Sequence, residues 1–124
     1  MKHEVCGFEH LHLHTDFSLL DGFGKVEEYA ARAPEINQQF LCVTDHGMLG
    51  AVPRQIKSCE ENGIMPIFGC ELFVNPLQPE AKDLSELHVV TSEFDPEEKE
   101  KLRKSYHLLA IAYNDVGYSN LVNL

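Results

Sequence analysis

Near the start of this chain three histidines stand two apart, in His10-Leu11-His12-Leu13-His14. In an extended strand, residues two apart share a face. The spacing therefore predicts three imidazoles pointing the same way. Burying them without partners would be costly, so the pattern points to metal binding, set against a tag remnant or a polar outer face. A second group, Thr44-Asp45-His46-Gly47, closes the apolar run Phe40-Leu41-Cys42-Val43. In parallel α/β folds ligand sites lie beyond the carboxyl ends of the strands. An Asp-His pair there suits a metal or acid–base site, and it suits a helix cap equally well. Glu71 lies among Cys70, Leu72 and Phe73. A carboxylate buried with such neighbours needs a cation or a metal, unless its strand turns it to solvent. His107 opens the last apolar run, a place where a lone histidine is usually structural.

Taken together, His12, His14, Asp45, His46, Glu71 and His107 fall on strands or at strand ends. Mixed imidazole and carboxylate donors suit Zn²⁺, Mn²⁺ or Fe²⁺ better than Ca²⁺. More than four candidates imply two or more ions. Two ions about 3.5–4 Å apart can clamp a phosphate, lower the pKa of a water between them and stabilise the leaving oxygen. That chemistry is phosphate-ester hydrolysis.

These residues need elements to hold them. Alternation over residues 7–14 predicts a strand, followed by a loop over 18–22. A helix is expected from about Val26 to Ala33, stopped by Pro34. Residues 40–44 read as a buried strand. A second helix is expected over about 51–61, with Pro53 harmless in its first turn and Gly63 ending it. Residues 64–68 read as a strand weakened by Pro66 and extended by 70–74. Residues 75–94 form a polar excursion, and Asp95-Pro96-Glu97-Glu98 starts a helix with basic residues near its end. Residues 106–113 predict a strong strand and 115–124 a helix. Strands alternating with helices argue for an α/β fold with parallel strands, as a layer or a barrel.

The chain has 124 residues, enough for one domain. With 44% hydrophobic and 24% charged residues, wholesale disorder is excluded. Ten Lys and Arg against twenty Asp and Glu give a formal charge of −10, the opposite of a nucleic-acid footprint. The chain alone should bind DNA poorly, so a metal cluster or a basic neighbouring domain would have to hold such a substrate. Cys6, Cys42, Cys59 and Cys70 make no C-x-x-C pair, and three of them sit in apolar runs as small buried hydrophobes. With no signal-peptide stretch and no run of roughly 20 apolar residues, a cytoplasmic, reduced protein without membrane contact is expected.

Phe8-Glu9-His10-Leu11-His12-Leu13-His14-Thr15, Phe17-Ser18-Leu19-Leu20-Asp21-Gly22, Thr44-Asp45-His46-Gly47, Gly69-Cys70-Glu71 and Tyr106-His107-Leu108-Leu109-Ala110 together resemble the PHP (polymerase and histidinol phosphatase) domain. The form is that of the bacterial C-family replicative polymerases, the DNA polymerase III alpha subunits. Ser18-Leu19-Leu20-Asp21-Gly22 and the stretch from Gly117 to Leu124 favour that branch. The resemblance implies a distorted seven-stranded (βα) barrel with a trinuclear metal site in one mouth. Residues 1–124 would hold its N-terminal portion, with 75–105 as a polar insertion. The implied metal ligands are His12, His14, Asp21, His46, Glu71 and His107. Catalysis would fall to His12, His14, His46 and Glu71, with His10 and Asp45 supporting the ligands from behind. The intact domain would carry two or three divalent ions of Zn, Mn or Fe.

The family's later ligands, a histidine or cysteine and then an Asp-x-His pair, have no counterpart after His107, and His88 is a poor substitute. An incomplete barrel with an open sheet edge is expected, an edge that invites pairing with another chain. Expected partners are the remainder of a polymerase chain, DNA held by neighbouring domains, and a second copy through that edge. The resemblance implies a metal-dependent phosphoesterase in DNA replication, with 3′–5′ exonuclease proofreading. The alternatives are an inactive docking module of the polymerase and a stand-alone small-molecule phosphatase.

Overall fold

The computed structural model describes residues 8–74 and 106–124. Helix α1 (Val26–Glu35) carries Glu27 and Glu28 in its first turn, where acids complement the helix dipole. The Glu28 carboxylate accepts the Lys25 backbone N–H at 3.0 Å, which closes the helix entry. Val26, Ala30 and Ala33, spaced along one face, are buried. Pro34 was expected to stop this helix but lies inside its last turn, and α1 ends one residue later. The Ile36 N–H then donates to the Arg32 and Ala33 carbonyls.

Strand β1 (Phe40–Val43), helix α2 (Val52–Asn62) and strand β2 (Met65–Val74) form a parallel βαβ unit, in register from Phe40 opposite Met65 to Val43 opposite Phe68. Pro53 lies in the first turn of α2, and Gly63 ends the helix at φ 66°, a left-handed conformation that glycine adopts without a Cβ penalty. Strand β2 runs unbroken through Pro66. Strand β3 (Tyr106–Ile111) pairs with β2 only from Gly69 onward, so Pro66 has a ladder partner on one side alone among the described residues, where proline is tolerated.

Two expectations need correction. Strand β3 runs antiparallel to β2, from Gly69 opposite Ile111 to Val74 opposite Tyr106, whereas parallel strands were expected. Alternating element types report strand order and carry no strand direction, and an antiparallel neighbour needs no crossover helix. The described sheet has three strands in the order β1-β2-β3, so the structure shows a mixed α/β fold consistent with part of the expected barrel. The expected strand over 7–14 is an extended segment without a regular ladder, as far as it is described. Side chains take the ladder's place beside β1. The Leu13 N–H donates to the Thr44 hydroxyl at 3.0 Å, while the Leu13 carbonyl accepts the Thr44 N–H at 2.9 Å. The Glu9 carboxylate accepts the Gln39 and Phe40 N–H groups. Helix α3 (Asp115–Val122) closes the description, with Asn114 accepting the Gly117 N–H at 2.8 Å as its cap. The expected helix at 95, together with Cys6 and His88, lies outside the described residues.

Helices α1 and α2 cover one face of the β1–β2 pair. The core holds Val26, Ala30, Ala33, Leu41, Val43, Ala51, Cys59 and Ile64, with Leu13, Phe17 and Tyr29 against it. Cys42, Cys59 and Cys70 are free and buried, and burial pushes the Cys42 and Cys59 thiols up to about 11. They are packing residues with little thiolate character. Arg54 clamps α2 to α1 through two bonds to Glu27, at 2.8 and 2.9 Å. No described helix is long and apolar enough to cross a membrane.

The polar fastening of this layer is Gln55, which is fully buried on α2. Its Nε2 donates to the Leu41 carbonyl at 2.8 Å and the Ile67 carbonyl at 2.9 Å, tying the helix to both parallel strands. Gln55→Ala leaves two dry carbonyls and a cavity. It is expected to cost about 2–4 kcal/mol, read as a lower urea midpoint with an unchanged m value.

Candidate metal centre

The centre of the site is Glu71, on β2 and 2% exposed. Its backbone continues the parallel pairing past the end of β1. The Glu71 N–H donates to the Asp45 carbonyl, and the Glu71 carbonyl accepts the Gly47 N–H, both at 3.0 Å. That pairing sets His46 beside Glu71. Across the antiparallel ladder His107 stands opposite Phe73, and Phe73 shares the face of Glu71 by strand parity. His12 and His14 arrive on the extended segment fixed to Thr44.

Asp21 comes from the loop after that segment. Gly22 is required there, because a Cβ would stand 1.7 Å from the Thr15 carbonyl oxygen. Leu20, at φ 66°, is held in the left-handed region just before Asp21.

The donors converge. His12 Nε2 lies 2.5 Å from Glu71 Oε2, and His14 Nε2 lies 2.9 Å from the same oxygen. The two imidazole nitrogens are 3.0 Å apart. On the other carboxylate oxygen, Oε1, His107 Nδ1 makes direct contact and His46 Nδ1 stands 3.8 Å away. Asp21 Oδ2 is 2.9 Å from His46 Nε2. Three groups of donor atoms result: His12, His14 and Glu71; His14, Asp21 and His46; His46, Glu71 and His107. Around one ion with bonds of about 2.0–2.2 Å, donors stand roughly 3 Å or slightly more apart. Glu71 presents one oxygen to each of two groups, as a bridging carboxylate does. Burial raises the proton affinity of Glu71, but the hydrogen bond with His12 and the charges of His12, His46 and His14 outweigh it and hold the carboxyl below its usual range.

A divalent ion fits this donor set on one further observation. His46 Nδ1 is buried and has no hydrogen-bond partner, although buried polar atoms are normally satisfied. An ion among His46, Glu71 and His107 gives that lone pair its partner.

The six expected ligands, His12, His14, Asp21, His46, Glu71 and His107, are thus brought together. His10 is not. Its ring lies edge-on to Phe8, with centroids 4.9 Å apart, and it lines a cavity of about 200 Å³ with Leu13, Tyr29 and Arg32. Without a ladder to enforce strict alternation, the face shared by His12 and His14 does not extend to His10. Asp45 is 1% exposed. It accepts the Thr15 N–H at 2.7 Å, the Thr15 hydroxyl at 2.8 Å and the Ser18 hydroxyl at 2.7 Å. It ties down the loop behind the ligands and caps no helix. Thr15 and Ser18 carried no expected role, because hydroxyl residues in a polar loop leave no periodic signal. Phe73 was read as an apolar neighbour only, yet its ring stacks on His46 at 5.5 Å and meets His107 edge-on at 5.1 Å.

Residues 10–124 match the PHP domain. The chain belongs to that family. This PHP segment is 40% identical over 118 residues to the DNA polymerase III subunit alpha of Treponema pallidum, covering 94% of this chain and 9% of the relative. The same protein from Borreliella burgdorferi is 36% identical over 117 residues, again covering 94% and 9%. That from Helicobacter pylori is 35% identical over 122 residues, covering 98% and 9%. The PHP chain thus spans about a tenth of the length of the curated relatives it matches.

His12→Ala or His14→Ala should weaken Zn²⁺ or Mn²⁺ binding at least about tenfold, whereas His10→Ala should leave it within about twofold. Calorimetric titration of the three variants checks this. Equal affinities would contradict the donor assignment.

Proposed function

We propose that this PHP segment is the N-terminal portion of a metal-dependent phosphoesterase domain in a replicative DNA polymerase, acting as a 3′–5′ exonuclease in proofreading. In this reading residues 75–105 are an insertion in the domain, and the setting is the reducing cytoplasm. The observation that carries the reading is the convergence of four imidazoles and the Asp21 carboxylate around the buried Glu71.

His12, His14 and Glu71 would hold one divalent ion of Zn, Mn or Fe. His46, Glu71 and His107 would hold another, and Asp21 closes a third group with His14 and His46. Such ions supply Lewis acidity toward a phosphoryl oxygen and a water of lowered pKa. The chain's own residues do the rest. Glu71 stays ionised and offers one oxygen to each of the two groups it belongs to. Asp21, exposed at the rim, orients His46 through Nε2. Phe73 packs on His46 and His107 and fixes the planes of their rings. The chain carries a formal −10 charge, so basic surfaces elsewhere in a polymerase would deliver the DNA.

A docking role is the second reading. It is favoured by the exposure of Val74, Tyr106 and Leu108, which by strand parity share the sheet face opposite Glu71, an apolar patch fit for the remainder of the polymerase or a second copy.

The test uses the Mn²⁺-loaded chain, alone and within its polymerase, against a 3′-labelled single-stranded oligonucleotide and a small aryl phosphate. Release of 3′ nucleotides, lost at least about a hundredfold in Glu71→Gln, is the expected result. Hydrolysis of the aryl phosphate alone would establish a small-molecule phosphatase. Bound metal with no hydrolysis of either substrate would overturn the phosphoesterase reading and leave the docking role.

A further inference from the structure

Ser18 is 1% exposed and touches three groups at once. Its Oγ lies 2.7 Å from Asp45 Oδ1, 3.1 Å from the His46 backbone nitrogen and 3.1 Å from His14 Nδ1. A hydroxyl has one proton to give and lone pairs to receive with. An ionised carboxylate only accepts, and Asp45 already accepts the Thr15 N–H and the Thr15 hydroxyl. The Ser18 proton therefore goes to Asp45. The Ser18 oxygen is left as an acceptor only, and the His46 N–H uses part of that capacity. The contact with His14 is a hydrogen bond only if Nδ1 carries the proton. Asp21 Oδ2, at 3.8 Å, is too far from Nδ1 to compete; the competing acceptor is Glu71 Oε2, 2.9 Å from Nε2, and a cation between those two atoms would end that competition.

A neutral imidazole protonated at Nδ1 has a bare lone pair at Nε2. In His14 that nitrogen faces Glu71 Oε2 at 2.9 Å and His12 Nε2 at 3.0 Å. We propose that Ser18, anchored by Asp45, is a positioning residue: it fixes His14 as the Nδ1–H tautomer and aims the Nε2 lone pair at the ion shared with His12 and Glu71. The purpose assigned to Ser18 rests on the reading of His14 as a ligand. The same oxygen accepts the His46 N–H, so one buried hydroxyl sets the orientation of two ligand residues. Metal-bound histidines commonly donate their second nitrogen to a carboxylate or carbonyl group. Here a serine stands between, passing the hold of a buried carboxylate to the ring.

The test begins with the Zn²⁺-loaded chain, labelled with ¹⁵N-histidine, so that a cation stands between His14 Nε2 and the Glu71 carboxylate. Long-range proton–nitrogen spectra should show His14 protonated at Nδ1 and without a proton at Nε2. This wild-type spectrum decides the tautomer without any variant. In Ser18→Ala, checked for folding by circular dichroism, the Nδ1 proton should lose its hydrogen-bonded shift and exchange faster with solvent, and Zn²⁺ affinity should fall about 10–100-fold. Ser18→Thr keeps the hydroxyl and should restore both. An Nε2–H tautomer at His14 in the wild type, or a folded Ser18→Ala with unchanged Nδ1 proton and affinity, overturns the proposal. His14→Ala separates the two claims: full metal binding in that variant overturns the ligand reading and the purpose given to Ser18, whatever the tautomer.

Discussion

A carboxylate that is nearly sealed from water must be matched by positive charge, and Glu71 is the group on which this constraint falls. Desolvating an unpaired carboxylate costs several kcal/mol (of that order) in a folded protein. The neighbours of Glu71 are imidazoles, from His12, His14, His46 and His107. A neutral imidazole can donate one proton only, and in the proposed tautomer the ring of His14 gives its proton to Ser18 rather than to Glu71. His46 Nδ1 has no hydrogen-bond partner. Divalent ions held between these donors would supply the matching charge and give the His46 lone pair a partner. The register of β2 against β3, the parallel bridge at His46 and the fastening of the first segment to Thr44 all serve to bring these rings to one carboxylate.

Much of this was legible in the chain. The apolar runs at 40–43 and 65–74 gave their strands, Gly63 gave the end of α2, and the order of elements gave the parallel βαβ unit. The site residues were legible where chemistry breaks a pattern: a carboxylate in an apolar strand at Glu71, and histidines at fixed spacing at His12 and His14. Three things were not legible. The direction of β3 depends on a tertiary pairing that leaves no local mark. His10 shares the spacing of His12 and His14 but not their position, because Glu9 and Thr44 side chains replace the ladder that would have enforced alternation. Ser18 and Thr15 look like ordinary loop residues, and only their burial against Asp45 reveals what they hold.

The acidic balance of the chain and the exposed apolar residues of β2 and β3 are the features that the proposed place within a polymerase would use. The relatives it matches are about ten times longer. On the proposed function, ions held by four imidazoles and two carboxylates would draw phosphate at short range, and the long-range attraction of DNA would fall to other surfaces. Arg54 is spent on Glu27 and Arg32 on Glu35, so these cations serve the fold.

The most direct measurement of the central claim is anomalous diffraction at the metal edge from crystals of the chain grown with Mn²⁺ or Zn²⁺. The account predicts at least two peaks, one bonded to each oxygen of Glu71 at about 2.0–2.2 Å, with His12 and His14 on one side and His46 and His107 on the other. An empty site, with peaks only at surface groups such as His10, would contradict it.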